Sequence, residues 1–172
     1  HAIIAHILPS LDPVRQISII PSGGALGYTL NPPVEDKYSV YKNGIKEEIA
    51  MLLGGRAAEK IIFDDISGGA SNDIQRATNL ARRMVTKLGM SDKVGNVIFA
   101  DGNDEVFVGL EYGHSKNYSE NLKADVDAEV KAILDVCYAE CRKILEEHMD
   151  ILHRLAEILI MKERIEGEEF EA

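Results

Sequence analysis

Basic residues are scarce in this chain. Nineteen Lys and Arg stand against 29 Asp and Glu over 172 residues, a formal net charge of −10. That balance argues against a nucleic-acid surface and fits a soluble, self-repelling exterior. Cysteine is scarcer still: Cys137 and Cys141 are the two present. One helical turn apart, they share a helix face and close no useful loop. They read as small buried hydrophobes of a reducing compartment. No run is long and apolar enough to span a bilayer, and residues 1–8 lack the basic start of a signal peptide. Internal repeats and low-complexity segments are missing too. So is an initiator Met: HAIIAHILP enters an apolar run with no cap or turn before it. It reads as a helix joined in its middle, and the chain as a fragment.

Hydrophobic residues make up 45% of the chain, enough for one domain with a real core, or one domain plus a helical appendage. A helix over residues 1–8 stops at Pro9. Residues 14–20 alternate and predict a strand. ALGYTL at 25–30 predicts a second strand that pairs with or neighbours the first. Asn43 opens a helix carrying Ile45, Ile49, Leu52 and Leu53. Gly54 and Gly55 interrupt it, at a cost of about 1 kcal/mol each relative to Ala if the backbone stays helical. Such a pair is usually kept for close packing, and RAAEKIIF resumes the helix. Residues 89–119 are glycine-rich, with strand-like pieces NVIFA and EVFVG. Leu122, Val126, Val130, Ile133, Cys137, Cys141 and Ile144 then mark a long amphipathic helix. A further helix from Asp150 carries Ile151, Leu155, Ile158 and Leu159. The two read as an antiparallel helical hairpin.

SGGASNDIQRATNLARRMV, residues 67–85, raises a sharper question. Ile74, Ala77, Ala81, Met84 and Val85 form one apolar stripe. Asn72 suits the N-cap, with Gln75 completing a capping box, and Gly89 suits the stop. Asp73 is then free of capping duty and sits at the edge of the stripe. Its simpler reading is a first-turn carboxylate favoured by the helix dipole. The other is an inward charge that needs a partner, such as a metal ion. The five histidines do not decide it by themselves. His1 and His6 lie about 500° apart around a helix and share no face. His114 has no partner at ligand spacing, and His148 and His153 sit among charged residues.

The order of motifs carries more. HAIIAHILPSLDPVRQISIIP, ALGYTL, LLGGRAAEKIIF, SGGASNDIQRATNLARRMV and EVFVGLEYGHSKNYSE together closely resemble the peptidase domain of the FtsH family, from His1 to about Phe170. That family consists of membrane-anchored, ATP-dependent zinc proteases of the AAA+ class. One departure is Ser22 in PSGGALG, where the family more often has Arg.

The resemblance implies a mainly α, zincin-like protease domain with a small β-sheet and a C-terminal helical hairpin. Residues 1–118 would form the metalloprotease core, and 119–172 the hairpin of the same domain. His1 would be the second metal-ligand His of an H-E-x-x-H helix, whose first His and catalytic Glu lie upstream. As the chain stands it therefore lacks its catalytic Glu and cannot build the complete site. Asp73 would be the third zinc ligand. Glu59 is the competitor, as an alternative ligand or a supporting group beside the ligands. Leu26, Gly27, Tyr28, Thr29 and Leu30 would form the strand edge that pairs with an extended protein or peptide substrate. Zinc would be the cofactor. ATP would enter only through an ATPase domain of the same full-length chain, since no phosphate-binding G-x-x-x-x-G-K-[ST] occurs here. The whole protein would be a homo-hexamer anchored in a bacterial inner membrane or an organellar membrane, with this domain on the cytoplasmic or equivalent side. Its work would be degradation of unfolded or misassembled proteins. The alternative is a catalytically inactive homologue serving as an assembly or binding module.

Overall fold

The computed structural model describes residues 1–21, 27–33, 39–99 and 120–171. In chain order the elements are α1 (Ala2–Ile7), β1 (Gln16–Ser18), β2 (Tyr28–Leu30), α2 (Lys42–Phe63), α3 (Ser71–Thr86), α4 (Glu120–Glu147), α5 (Met149–Lys162), β3 (Arg164–Glu166) and α6 (Gly167–Glu171). The architecture is mainly α with one small sheet.

Three long helices make the main core, with α2 packed on both α3 and α4, and α3 on α4. The stripe expected on α3 is the one buried: Ala77, Ala81, Met84 and Val85 are fully enclosed. On α4 the inward residues Val126, Val130, Ile133, Cys137, Cys141 and Ile144 are all buried. Ile45, Ile49 and Leu53 of α2 meet them in one cluster with Ile3 and Ile4 of α1. Gly54 and Gly55 do not interrupt α2, which runs unbroken from Lys42 to Phe63. Asn72 is not a cap. The N-cap of α3 is Ala70, with no side-chain cap bond. Gln75 instead bonds Asn79 one turn on. Asp73 is therefore the third helical residue, still inside the first turn. Gly89 serves the stop a little beyond the helix end, with φ of 58°.

The sheet is antiparallel in the order β2-β1-β3. Ile17 is opposite Thr29 on one side and Ile165 on the other. The expected pairing of the first two strands is present, and β2 is an edge strand among the described residues. Strand β3 has no counterpart in the sequence reading. It forms because Ile165 fills the sheet's inner face at 2% exposure. The α4–α5 junction turns at His148. Beyond it, Leu155 and Leu159 pack onto Ala2, Ala5, Val14 and Ile17, so α5 covers α1 and β1. Residues 97–99 of the expected strand NVIFA are not in a strand. EVFVG, Leu26, His114 and the 118/119 boundary lie outside the described residues.

Candidate metal centre

His1 stands at the N-terminal end of α1, and Asp73 in the first turn of α3. Helix α2 packs against both α1 and α3. The turn from Met51 to Gly55 carries the imidazole. His1 Nδ1 lies 2.8 Å from the Met51 carbonyl oxygen. A carbonyl only accepts, so Nδ1 carries the proton and donates it. In the neutral ring Nε2 then keeps its lone pair. A ring nitrogen fixed through its neighbour in this way is the usual support of a metal-binding histidine.

Nε2 lies 3.4 Å from Asp73 Oδ2, with the two side chains 33% and 31% exposed. Two acceptor atoms do not face each other at this range without a cation or a proton between them. A protonated imidazole satisfies the pair as an ion pair, and a divalent metal does so in its place. The spacing fits a metal: two donors each about 2.0–2.1 Å from a tetrahedral zinc stand about 3.3–3.4 Å apart. Asp73 has a further cationic neighbour in Arg76, whose Nη1 is 3.8 Å from Oδ1. At that distance Arg76 offers charge without a good hydrogen bond, so Asp73 is not locked away from a metal.

Glu59 is placed differently. Ser67 donates to it twice, from Oγ at 2.5 Å and from the backbone N–H at 3.3 Å. These bonds hold its carboxyl below the usual range. Ser67 Oγ in turn accepts from the Gly69 N–H. Glu59 thus ties the end of α2 to the loop that delivers α3. Among the described residues no group of three or more His, Cys, Asp or Glu is placed to hold a metal; the Glu59 carboxylate is engaged by Ser67. His6 also points elsewhere, edge-on to Phe170 with ring centres 5.4 Å apart.

A cleft lies beside these groups, reached from β2 through Asn31 and not lined by the expected substrate strand itself. It measures about 950 Å³ and is lined by Asn31, just past β2, by Met51, which holds His1, and by Arg76, which pairs with Asp73. Leu11, Val40 and Ile45 give it apolar walls. Tyr28 and Leu30 are exposed on β2. The sequence reading missed the Met51 carbonyl and Arg76. A backbone acceptor leaves no trace in the residue type. Arg76 did carry a signal, since i,i+3 spacing from Asp73 puts both on one helix face.

Comparison with known proteins identifies the family. The family model described as Peptidase family M41 matches residues 1–172. The ATP-dependent zinc metalloprotease FtsH 1 of Thermoanaerobacter sp. (strain X514) is 48% identical over 99% of this chain and 28% of its own length. The FtsH of Caldicellulosiruptor bescii is 46% identical over 99% of the chain and 28% of its own length. That of Thermotoga maritima is 46% identical over 98% and 28%. The chain thus spans a little over a quarter of the length of these curated relatives. With a family model matched from first residue to last, and near-half identity to these relatives throughout, the chain belongs to peptidase family M41.

Proposed function

We propose that this chain is the proteolytic part of an ATP-dependent zinc metalloprotease, in which His1 and Asp73 hold the zinc. The observation that carries the reading is the 3.4 Å approach of Nε2 to Oδ2, with Nδ1 already committed to Met51. The relatives named as zinc metalloproteases support it. Zinc, when bound, supplies Lewis-acid polarisation and lowers the pKa of water toward 7. The chain's own residues do the rest of what is present here. The Met51 carbonyl keeps the proton on Nδ1 and so keeps Nε2 open. Asp73 adds negative charge and is itself held in the first turn of α3. The general base would be the Glu that the family resemblance places upstream of His1.

The substrate is an extended protein or peptide chain. It adds a strand to the edge of β2 that is open among the described residues, at Gly27 to Leu30, through backbone hydrogen bonds that tolerate many sequences. Leu26 belongs to the same proposed edge. Such a chain would run past β2 into the cleft that Asn31, Met51 and Arg76 share. A folded substrate holds about 5–15 kcal/mol against opening, and an ATPase domain of the same full-length protein would supply the unfolding. Hexamer formation and a membrane anchor belong to that full-length protein. No helix among the described residues is long and apolar enough to cross a membrane. The core at 1–118 and the helices from 119 to 172 would act as one peptidase domain.

Asp73→Ala in the full-length protein tests the ligand role. No cap bond is lost, because the N-cap of α3 makes none. Peptide cleavage should fall to background and zinc content should drop, with the helical circular dichroism retained. Activity that survives Asp73→Ala and disappears in Glu59→Ala would transfer the ligand role to Glu59.

A further inference from the structure

Gly54 and Gly55 sit in the middle of a helix that gains nothing locally from them. Their neighbours explain the pair differently at each position. A Cβ on Gly54 would lie 3.0 Å from the His1 backbone nitrogen and 3.3 Å from its Cα. That contact is with main chain and fixes how closely α1 approaches α2. The three atoms nearest a Cβ on Gly55 would all belong to the His1 ring. That Cβ would lie 3.0 Å from His1 Nε2 and 3.5 Å from Cε1. The missing side chain at 55 therefore opens the space at the atom that faces Asp73.

We infer that Gly55 is a positioning residue for the metal: together with the Met51 carbonyl one turn earlier it forms a cradle that sets where His1 Nε2 stands. This rests on the proposal that His1 and Asp73 hold zinc. The argument depends on state. A free imidazole held at Nδ1 alone swings by a few tenths of an ångström to accept a methyl group. A ring held at both nitrogens has no such freedom. Gly55→Ala therefore leaves the metal-free fold intact, and the helix gains from the better helix former. The cost appears when the metal binds. Gly44 supplies the control. It is in the first turn of the same helix, and among the described residues its added Cβ would touch only Ser10 Cβ, at 3.8 Å.

The experiment uses the full-length protein with Gly55→Ala, Gly44→Ala and Asp73→Ala. Two quantities are read. One is the unfolding midpoint of the metal-free form. The other is the zinc dissociation constant, by competition with a chromogenic chelator. Gly55→Ala should leave the metal-free midpoint equal or higher and weaken zinc by about 10–100-fold, the usual effect of disturbing the support of a ligand. Gly44→Ala should leave zinc affinity unchanged. Asp73→Ala should lose zinc outright. Zinc affinity of Gly55→Ala within twofold of the parent overturns the cradle while Asp73 keeps its role. A metal-free Gly55→Ala protein that does not fold also overturns it, because the contact would then serve the fold itself. Stoichiometric zinc in Asp73→Ala overturns the ligand assignment instead.

Discussion

At the scale of single residues, the structure rewards side chains that answer to a partner far away in sequence. His1 answers to Met51 and to Asp73. Glu59 answers to a nearer partner, Ser67, across the loop that ends α2. Cys137 and Cys141 answer to the core, where burial pushes both thiols up to about 11. An unfolded cysteine titrates near 8.5. Between those values the folded chain keeps protons that the unfolded chain has lost. Stability from the thiols is full below about pH 8.5 and is lost as pH rises toward 11. A thiol reagent near pH 8 should leave both cysteines unmodified in the native protein and label both after denaturation. Rapid labelling without unfolding would contradict their place in the core. Their burial was legible because the pair falls on a stripe with five other apolar positions of α4. The role of Asp73 was not legible from its own segment. Helix-dipole placement explains a first-turn Asp equally well, and only the order of motifs along the chain favoured a ligand. The Asn72 cap failed because the helix starts earlier, at Ser71. The small residues before it let the turn close without a side-chain cap.

At the scale of elements, period and length decide what can be read. Helix α4 runs 28 residues, long enough to show its inward face several times over. Strand β3 has three residues, Arg164 to Glu166, and buries one of them. One buried residue has no period. The Gly54–Gly55 pair was legible as a packing signal, but not as a histidine cradle, since its partner lies about fifty residues away. Strand β2 is short too, and its place at the edge comes from β1 having β3 on its other side. Gly27, just before β2, makes this edge testable. A Cβ there would lie 2.6 Å from the Ser18 carbonyl oxygen and 3.1 Å from Ile19 Cα. Both contacts are main chain, so Gly27→Ala must part β2 from β1, at a cost of about 1–3 kcal/mol. On the proposed binding mode, KM for an unfolded protein substrate should rise severalfold while zinc content stays whole. An unchanged KM would remove β2 from the substrate path.

At the scale of the whole molecule, three long helices hold a small sheet and a short helix in register. Asn31, just past β2, lines one cleft with Met51 and Arg76, the neighbours of His1 and Asp73. The mainly α composition was legible from periodicity. The way α5 folds back over α1 and β1 was not, because an amphipathic helix announces that it has an inner face without naming what lies against it. On the proposed reading an extended substrate lies beside a candidate metal pair, and the sequence of this chain carries no G-x-x-x-x-G-K-[ST] motif for nucleotide phosphate. Everything in the reading depends on His1 and Asp73 sharing one zinc ion. Anomalous diffraction at the zinc edge, on crystals of the full-length protein or its intact peptidase domain, tests that directly. An anomalous peak about 2.0–2.1 Å from both His1 Nε2 and an Asp73 carboxylate oxygen is expected. A zinc peak that touches Glu59, or that lies beyond coordinating distance of Asp73, would contradict it.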